Sequence, residues 1–284
     1  MQFLMSHYDR ILQQVNQLEL PQIIIWAAPV MFLLVMIEFI YSIKRNKNLY
    51  NKYDLAASVG IGLTNVLINS IIKGIIFVLV YTAYEFAPFK LPSSWWTIIP
   101  CLIAIDFARY WAHRVAHENR FFWATHVPHH SSEYYNLSVS FRLSWIQFVK
   151  FIFFVPVAAM GFDPFIFFIA HQIEVLYQFW IHTEVIRKLP RPIEYIFVTP
   201  SHHRVHHARN PKYIDKNYGS TLIIWDRMFN TFQPEEEQPD YGITKPVNSY
   251  NPVTLVFHEL VDILKDMGKT KGLKNKIKIL LGRP

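Results

Sequence analysis

The sequence predicts an all-α, polytopic membrane protein, with about four membrane-embedded helical segments, some paired as a hairpin, and a cytoplasmic histidine-rich helical domain that holds two metal ions. Three observations carry this reading. The 284 residues are 52% hydrophobic and 16% aromatic, a balance suited to lipid-facing surfaces and interfacial belts rather than a water-soluble core. The apolar residues gather into runs long enough to cross a hydrocarbon layer of ~30 Å. Finally, eleven of the 13 histidines fall between His113 and His207.

Residues 1–22 mix Leu and Gln with His7, Asp9, Arg10 and Glu19, without the basic start, short apolar stretch and cleavage site of a signal peptide. They read as an N-terminal, non-cytoplasmic segment. Residues 23–43 are almost wholly apolar and form the first span. Lys44, Arg45, Lys47 and Lys52 follow directly, so the positive-inside bias puts this loop in the cytoplasm and the N-terminus outside. Residues 56–84 form the second span; its Asn65, Asn69 and Lys73 need partners on neighbouring helices or a route to the interface. Residues 86–96, with Pro88, Pro92, Trp95 and Trp96, make a short outer loop ending in an interfacial anchor. Residues 97–111 return inward. Transmembrane helices thus occupy 23–112, and everything from His113 onward lies at the cytoplasmic face.

The region 113–252 contains a further apolar stretch, broken at Gly161-Phe162-Asp163-Pro164 into halves too short to cross separately. It reads as an embedded hairpin, residues 146–182, that enters and leaves on one side. Beyond Pro190-Arg191-Pro192 the chain turns polar and membrane-peripheral. Residues 253–284 form a basic amphipathic tail, with Lys265, Lys269, Lys271, Lys274, Lys276 and Lys278 at helical spacing, able to lie on an anionic leaflet. The net charge of +7 flanks hydrophobic spans, which favours lipid headgroups and argues against nucleic acid. Cys101 stands alone, so neither a disulfide framework nor a thiolate metal site is available.

The histidines form three strings. His113 and His117 are one helical turn apart and share a face. His126, His129 and His130 converge if the chain winds helically after Pro128. His203, His206 and His207 repeat that spacing, and His182 is a ninth candidate. Polar rings are costly to bury, so such crowding beside membrane spans points to metal ligation rather than to core packing. Eight or nine nitrogens are too many for one ion. Imidazole suits zinc, copper, iron and nickel, but structural zinc closes at four ligands and lacks the redox change that iron supplies. His202 is placed as a cap or hydrogen-bonding residue, His171 as a neighbour of the site, and His7 and His258 at the surface. Asp106, Glu133, Asn136, Glu184 and Asp226 are candidates to accept the second ring N–H of ligating histidines.

Read together, the HxxxH pair and the two HxxHH triplets resemble the fatty acid hydroxylase and sterol desaturase superfamily of membrane di-iron enzymes. The likeness runs from about Asp106 to Asn248. Its wording is most similar to the alkylglycerol monooxygenase branch: Asp106-Phe107, Tyr110-Trp111, His129-His130-Ser131-Ser132-Glu133, Trp180-Ile181-His182-Thr183-Glu184, and Asp215-Lys216-Asn217-Tyr218-Gly219. The resemblance implies iron ligation by His113, His117, His126, His129, His130, His203, His206 and His207, with His182 added, and a catalytic role for Glu118. Some superfamily members carry a histidine where this chain has Gln178, and glycine is usual at Asn230. The resemblance further implies hydroxylation of a C–H bond of an ether lipid, acyl chain or sterol, using dioxygen.

No dinucleotide fingerprint or haem motif is present, so electrons come from a separate donor; tetrahydrobiopterin, a b-type cytochrome or a ferredoxin fits the resemblance. A desaturase with the same centre is the alternative within enzymes, and a metal transporter or zinc-binding membrane protein the alternative outside them. The expected location is a bacterial inner membrane or the endoplasmic reticulum.

Overall fold

The apolar runs become the two longest helices of the computed structural model, which describes residues 23–284; the non-cytoplasmic segment 1–22 lies outside the described residues. Helix α1 spans Ile23–Lys44 and α2 spans Lys52–Glu85. Both are long and apolar enough to cross a membrane, and their outer faces are largely apolar, with Trp26 and Ile71 each 81% exposed. Asn51 starts α2 by accepting from the backbone N–H groups of Tyr53 and Asp54. With 34 residues α2 is about 50 Å long, more than the ~30 Å of a hydrocarbon layer. Its first turn carries Asp54, which pairs with the buried Arg142. Asn65 finds the partners its position demands, donating to the carbonyls of Leu143 and Ser144.

After a 3₁₀ turn at Trp95–Thr97, helix α3 runs Ile98–Glu118 without interruption. The stretch read as an inward span and the first histidine pair are therefore one rigid rod. Short helices α4 (Arg120–Ala124) and α5 (Val127–His130) follow, then 3₁₀ segments Leu137–Phe141 and Gln147–Phe154. This last segment with α6 (Val155–Ala159) precedes the Gly161-Phe162-Asp163-Pro164 break, and α7 (Pro164–Trp180) follows it. Asp163 caps α7, and Pro164 sits at its first position, where a missing N–H costs nothing. At the break Gly161 has φ 85°, and a Cβ there would lie 2.1 Å from the Phe89 carbonyl oxygen. The break meets the 86–96 loop, where Leu91 N–H donates to the Gly161 carbonyl at 2.7 Å. The segments on both sides of it lie against α3 in a core containing Phe77, Cys101, Ile105, Phe151, Phe154 and Phe167.

The remaining elements are α8 (Arg191–Ile196), α9 (Pro200–His207), α10 (Ile224–Met228), α11 (Pro252–Lys269) and α12 (Leu273–Leu281). Among the described residues there are no strands, only isolated bridges such as Phe197 with Leu222. The basic tail folds back on the body. Arg120 pairs with Glu259 and Asp266 of α11 at 2.7 and 2.8 Å, its N–H donates to the Gly282 carbonyl, and Leu255, Val256 and Ile263 are buried. Leu264, Leu273 and Leu281 remain exposed on its outer face.

Candidate metal centre

Four stretches of chain deliver the clustered rings. Helix α3 presents His113 and His117 one turn apart. Pro128 starts the single turn of α5, so His126, His129 and His130 come round together. Thr199 and Pro200 start α9, which carries His203, His206 and His207, and His182 follows the end of α7. The structure brings all nine into two groups: His113, His117, His126, His130 and His206 in one, His129, His182, His203 and His207 in the other. Within each group the candidate ligand atoms lie within 4.8 Å of one another. The groups abut through the rings of His130 and His207, stacked with centroids 4.3 Å apart.

The nitrogens themselves test whether metal fits. In the four-ring group, His182 Nε2 lies 3.1 Å from His129 Nε2 and 2.9 Å from His203 Nε2, which is 3.2 Å from His207 Nε2. Two nitrogens held about 2.1 Å from one ion at a right angle are about 3 Å apart, so these edges suit neighbouring ligands. In the five-ring group, Nε2 of His113, His117 and His206 are buried without a hydrogen-bond partner. A buried nitrogen left so is costly unless something else takes its lone pair. The donor set of imidazole without thiolate suits iron.

Several rings are fixed from behind. Tyr218 O lies 2.8 Å from His113 Nδ1, Lys216 O 3.0 Å from His206 Nδ1, and Gln178 O 2.6 Å from His182 Nδ1. Each carbonyl takes the Nδ1–H and leaves Nε2 for the group. These partners correct the sequence expectation. Asp106 instead accepts from Thr221 N, Leu222 N and Trp225 Nε1, and Asp226 from Tyr218 N, Gly219 N and Thr231 Oγ1. Asn136 caps Ser138 and donates to Leu49 O, Glu133 pairs with Arg209, and Glu184 interacts with Tyr241. Carboxylates brace the loop, and the loop's backbone braces the rings. Asp215 and Asn217 adopt φ of 60° and 55°, which residues with short polar side chains tolerate, and so turn the Lys216 and Tyr218 carbonyls inward. Asn230, at φ 58°, takes a left-handed conformation that explains why glycine is usual there.

Burial holds His129, His130, His203 and His207 well below the ordinary histidine range, with neighbouring rings adding to the effect. His206 is brought down to about 4 by the same desolvation. The rings are neutral near pH 7, the form that binds metal. Outside the groups, His202 accepts from Thr199 N–H and lies 3.1 Å from Glu194, so it caps α9. His171 packs against Phe151 and Phe154, and His258 contacts the Leu255 carbonyl. His7 lies outside the described residues.

Residues 98–231, which contain all nine rings, match the family model for fatty acid hydroxylase. Over that stretch the chain is similar to the fatty acid hydroxylases. It is 40% identical to alkylglycerol monooxygenase of Homo sapiens over 94% of this chain and 60% of that protein. The Danio rerio alkylglycerol monooxygenase is 37% identical over the same shares, and ornithine lipid hydroxylase OlsE of Rhizobium tropici is 28% identical over 57% of this chain and 50% of its own. The chain thus spans about 60% of the length of the first two. No solved structure matches it.

Within the matched stretch, Glu118 belongs to neither nitrogen group, and its carboxylate lies 3.1 Å from Arg114 Nε. Sequence reasoning passed over Glu38, a buried carboxylate in α1 that accepts from Tyr50 Oη, Leu137 N and Thr183 Oγ1, next to His182. An ionisable residue inside an apolar span is the signal that marks it.

Proposed function

We propose that the protein is an integral, multi-pass membrane monooxygenase that inserts one oxygen of dioxygen into a C–H bond of a lipid, of the ether-lipid type. Two iron ions are its metal, and a separate donor, tetrahydrobiopterin, a b-type cytochrome or a ferredoxin, supplies the electrons. The centre lies at the cytoplasmic face of the bacterial inner membrane or the endoplasmic reticulum. The observation that carries this reading is the pair of abutting nitrogen groups, five rings and four, in each of which the candidate ligand atoms lie within 4.8 Å of one another. The named activities of the alkylglycerol monooxygenases and of ornithine lipid hydroxylase support a lipid substrate.

In this reading His113, His117, His126, His130 and His206 hold one ion, and His129, His182, His203 and His207 hold the other. Iron supplies the redox chemistry that activates dioxygen. The protein's own residues do the rest. The carbonyls behind His113, His182 and His206 fix each ring before metal arrives, which removes a reorganisation cost from binding. The aromatic wall around the groups, including Trp123 at 5.0 Å from the His117 ring, Tyr135 and Tyr218, would keep water from the centre. Glu118 shares its surroundings with Asp215 and Tyr218, and we assign it to the rim of the centre, where an electron donor approaches.

The test is purified protein, reconstituted with iron and a reducing donor, supplied with ¹⁸O₂ and an alkylglycerol. A product carrying one labelled oxygen supports the reading. A product lacking two hydrogens and carrying no label makes the enzyme a desaturase, and no lipid product from an iron-loaded preparation overturns it.

A further inference from the structure

On the membrane side of the metal groups, α3 and α7 face each other across a small apolar slot of about 150 Å³. Ile99, Leu102 and Ile103 line it from α3, and Ile173 and Tyr177 from α7. Ile99, Ile103 and Ile173 are themselves well exposed, so the slot opens onto the apolar surface. Its inner end is polar, closed by Asp106, Glu174 and Thr221. Arg109 lies directly beyond, one helical turn, about 6 Å along α3, from His113.

The polar end has spare hydrogen-bonding capacity of both signs. Asp106 accepts from three donors and its carboxyl also meets that of Glu174, whose Oε1 accepts from Thr221 Oγ1 at 2.9 Å. Glu174 Oε2 receives no N–H or hydroxyl donor although the side chain is only 2% exposed. Arg109 Nε and Nη2 are likewise buried and unpartnered, and Nε stands 3.7 Å from Glu174 Oε2, too far for a hydrogen bond. Unmade bonds of this kind inside a protein are expensive and mark a place where something else makes them. A hydroxyl inserted here would donate to Glu174 Oε2 and accept from Arg109. Two carboxyl groups, Asp106 and Glu174, already face the single guanidinium of Arg109, so a neutral hydroxyl fits better than a further carboxylate or phosphate.

We infer that Arg109 and Glu174 clamp the hydroxyl-bearing head of a neutral lipid, whose chain lies in the slot between α3 and α7. This rests on the proposed lipid oxidation and gives it an orientation: the head is held one turn from His113, so the first carbons of the chain are presented to the metal groups while the remainder stays in the bilayer.

The experiment uses the metal-loaded full chain in lipid nanodiscs and measures equilibrium binding of a monoalkyl glycerol ether with two free hydroxyls and of its di-O-methyl counterpart, without donor or turnover. Wild type binds the diol roughly tenfold to a hundredfold more tightly. Glu174→Gln and Arg109→Gln lose that preference while affinity for the capped lipid and iron content stay unchanged. Equal affinity of the wild type for both lipids overturns the clamp, and so does a variant that loses iron and both lipids together, since the pair is then a structural brace. The proposed function fails separately: a chain that binds the diol selectively yet forms no oxidised product overturns that reading and leaves the clamp standing.

Discussion

Replacing Arg142 by Met tests how the long helix α2 is tied to the metal region. Arg142 is 1% exposed, and its guanidinium reaches three places at once. Nη1 pairs with Asp54 of α2, Nε donates to the Pro128 carbonyl at 3.2 Å, and Nη2 donates to Ser131 Oγ at 3.2 Å. Pro128 and Ser131 bracket His129 and His130, so this one side chain fixes the turn that feeds both nitrogen groups. The Met variant keeps most of the volume but leaves Asp54 buried with only Ser132 Oγ as donor. Breaking a buried pair by removing one partner costs about 3–5 kcal/mol, against a total stability on the order of 5–15 kcal/mol. At roughly 2–4 °C per kcal/mol, the expected fall in the unfolding midpoint is roughly 10 °C, read by tryptophan fluorescence in detergent. Iron content should fall with it. Adding Asp54→Asn to the variant removes the stranded charge and should recover part of the loss. A midpoint within about 2 °C of wild type, with iron unchanged, would refute the assignment of Arg142 as the tie.

Substituting His129 or His206 by Ala removes one ring from each group and should abolish turnover while the protein still inserts in the membrane, as judged by extraction and by product assay. Gly161→Ala places a Cβ 2.1 Å from the Phe89 carbonyl at a φ of 85°, so it should lower the unfolding midpoint by the equivalent of about 2 kcal/mol or more, with iron binding intact once folded. Burial keeps His206 at about 4 in the folded chain, whereas an unfolded histidine titrates near 6.5. The unfolded state therefore takes up more protons between those values. Metal-free protein should hold its stability above pH 6.5 and lose on the order of 3 kcal/mol from this ring as pH falls to about 4, measurable by denaturant unfolding across that range.

Much of this was legible in the sequence because the signals are local. Runs of apolar residues give α1, α2 and most of α3, and three- and four-residue spacings place histidines on one helical face whatever the surrounding fold. The Gly161-Phe162-Asp163-Pro164 break marks where α6 ends and α7 starts. What the sequence hides is contact between distant segments. Nothing in the string Asp215-Lys216-Asn217-Tyr218-Gly219 says that its carbonyls will reach His206 and His113, because a backbone oxygen belongs to every residue type. The expectation of carboxylate partners failed for that reason. The sorting of rings, with His129 joining His182 rather than its neighbour His130, also follows from where α7 ends and not from spacing. The fold-back of α11 onto Arg120 depends on Glu259 and Asp266, which read as minor features of a lysine-rich tail.

The proposal of two iron-holding nitrogen groups is tested most directly by metal analysis of purified, catalytically active protein combined with Mössbauer spectroscopy of ⁵⁷Fe-loaded chain. The two nitrogen groups predict about two irons per chain, both in nitrogen-rich environments. Zinc as the sole metal of an active preparation, or a single iron at full activity, would contradict it.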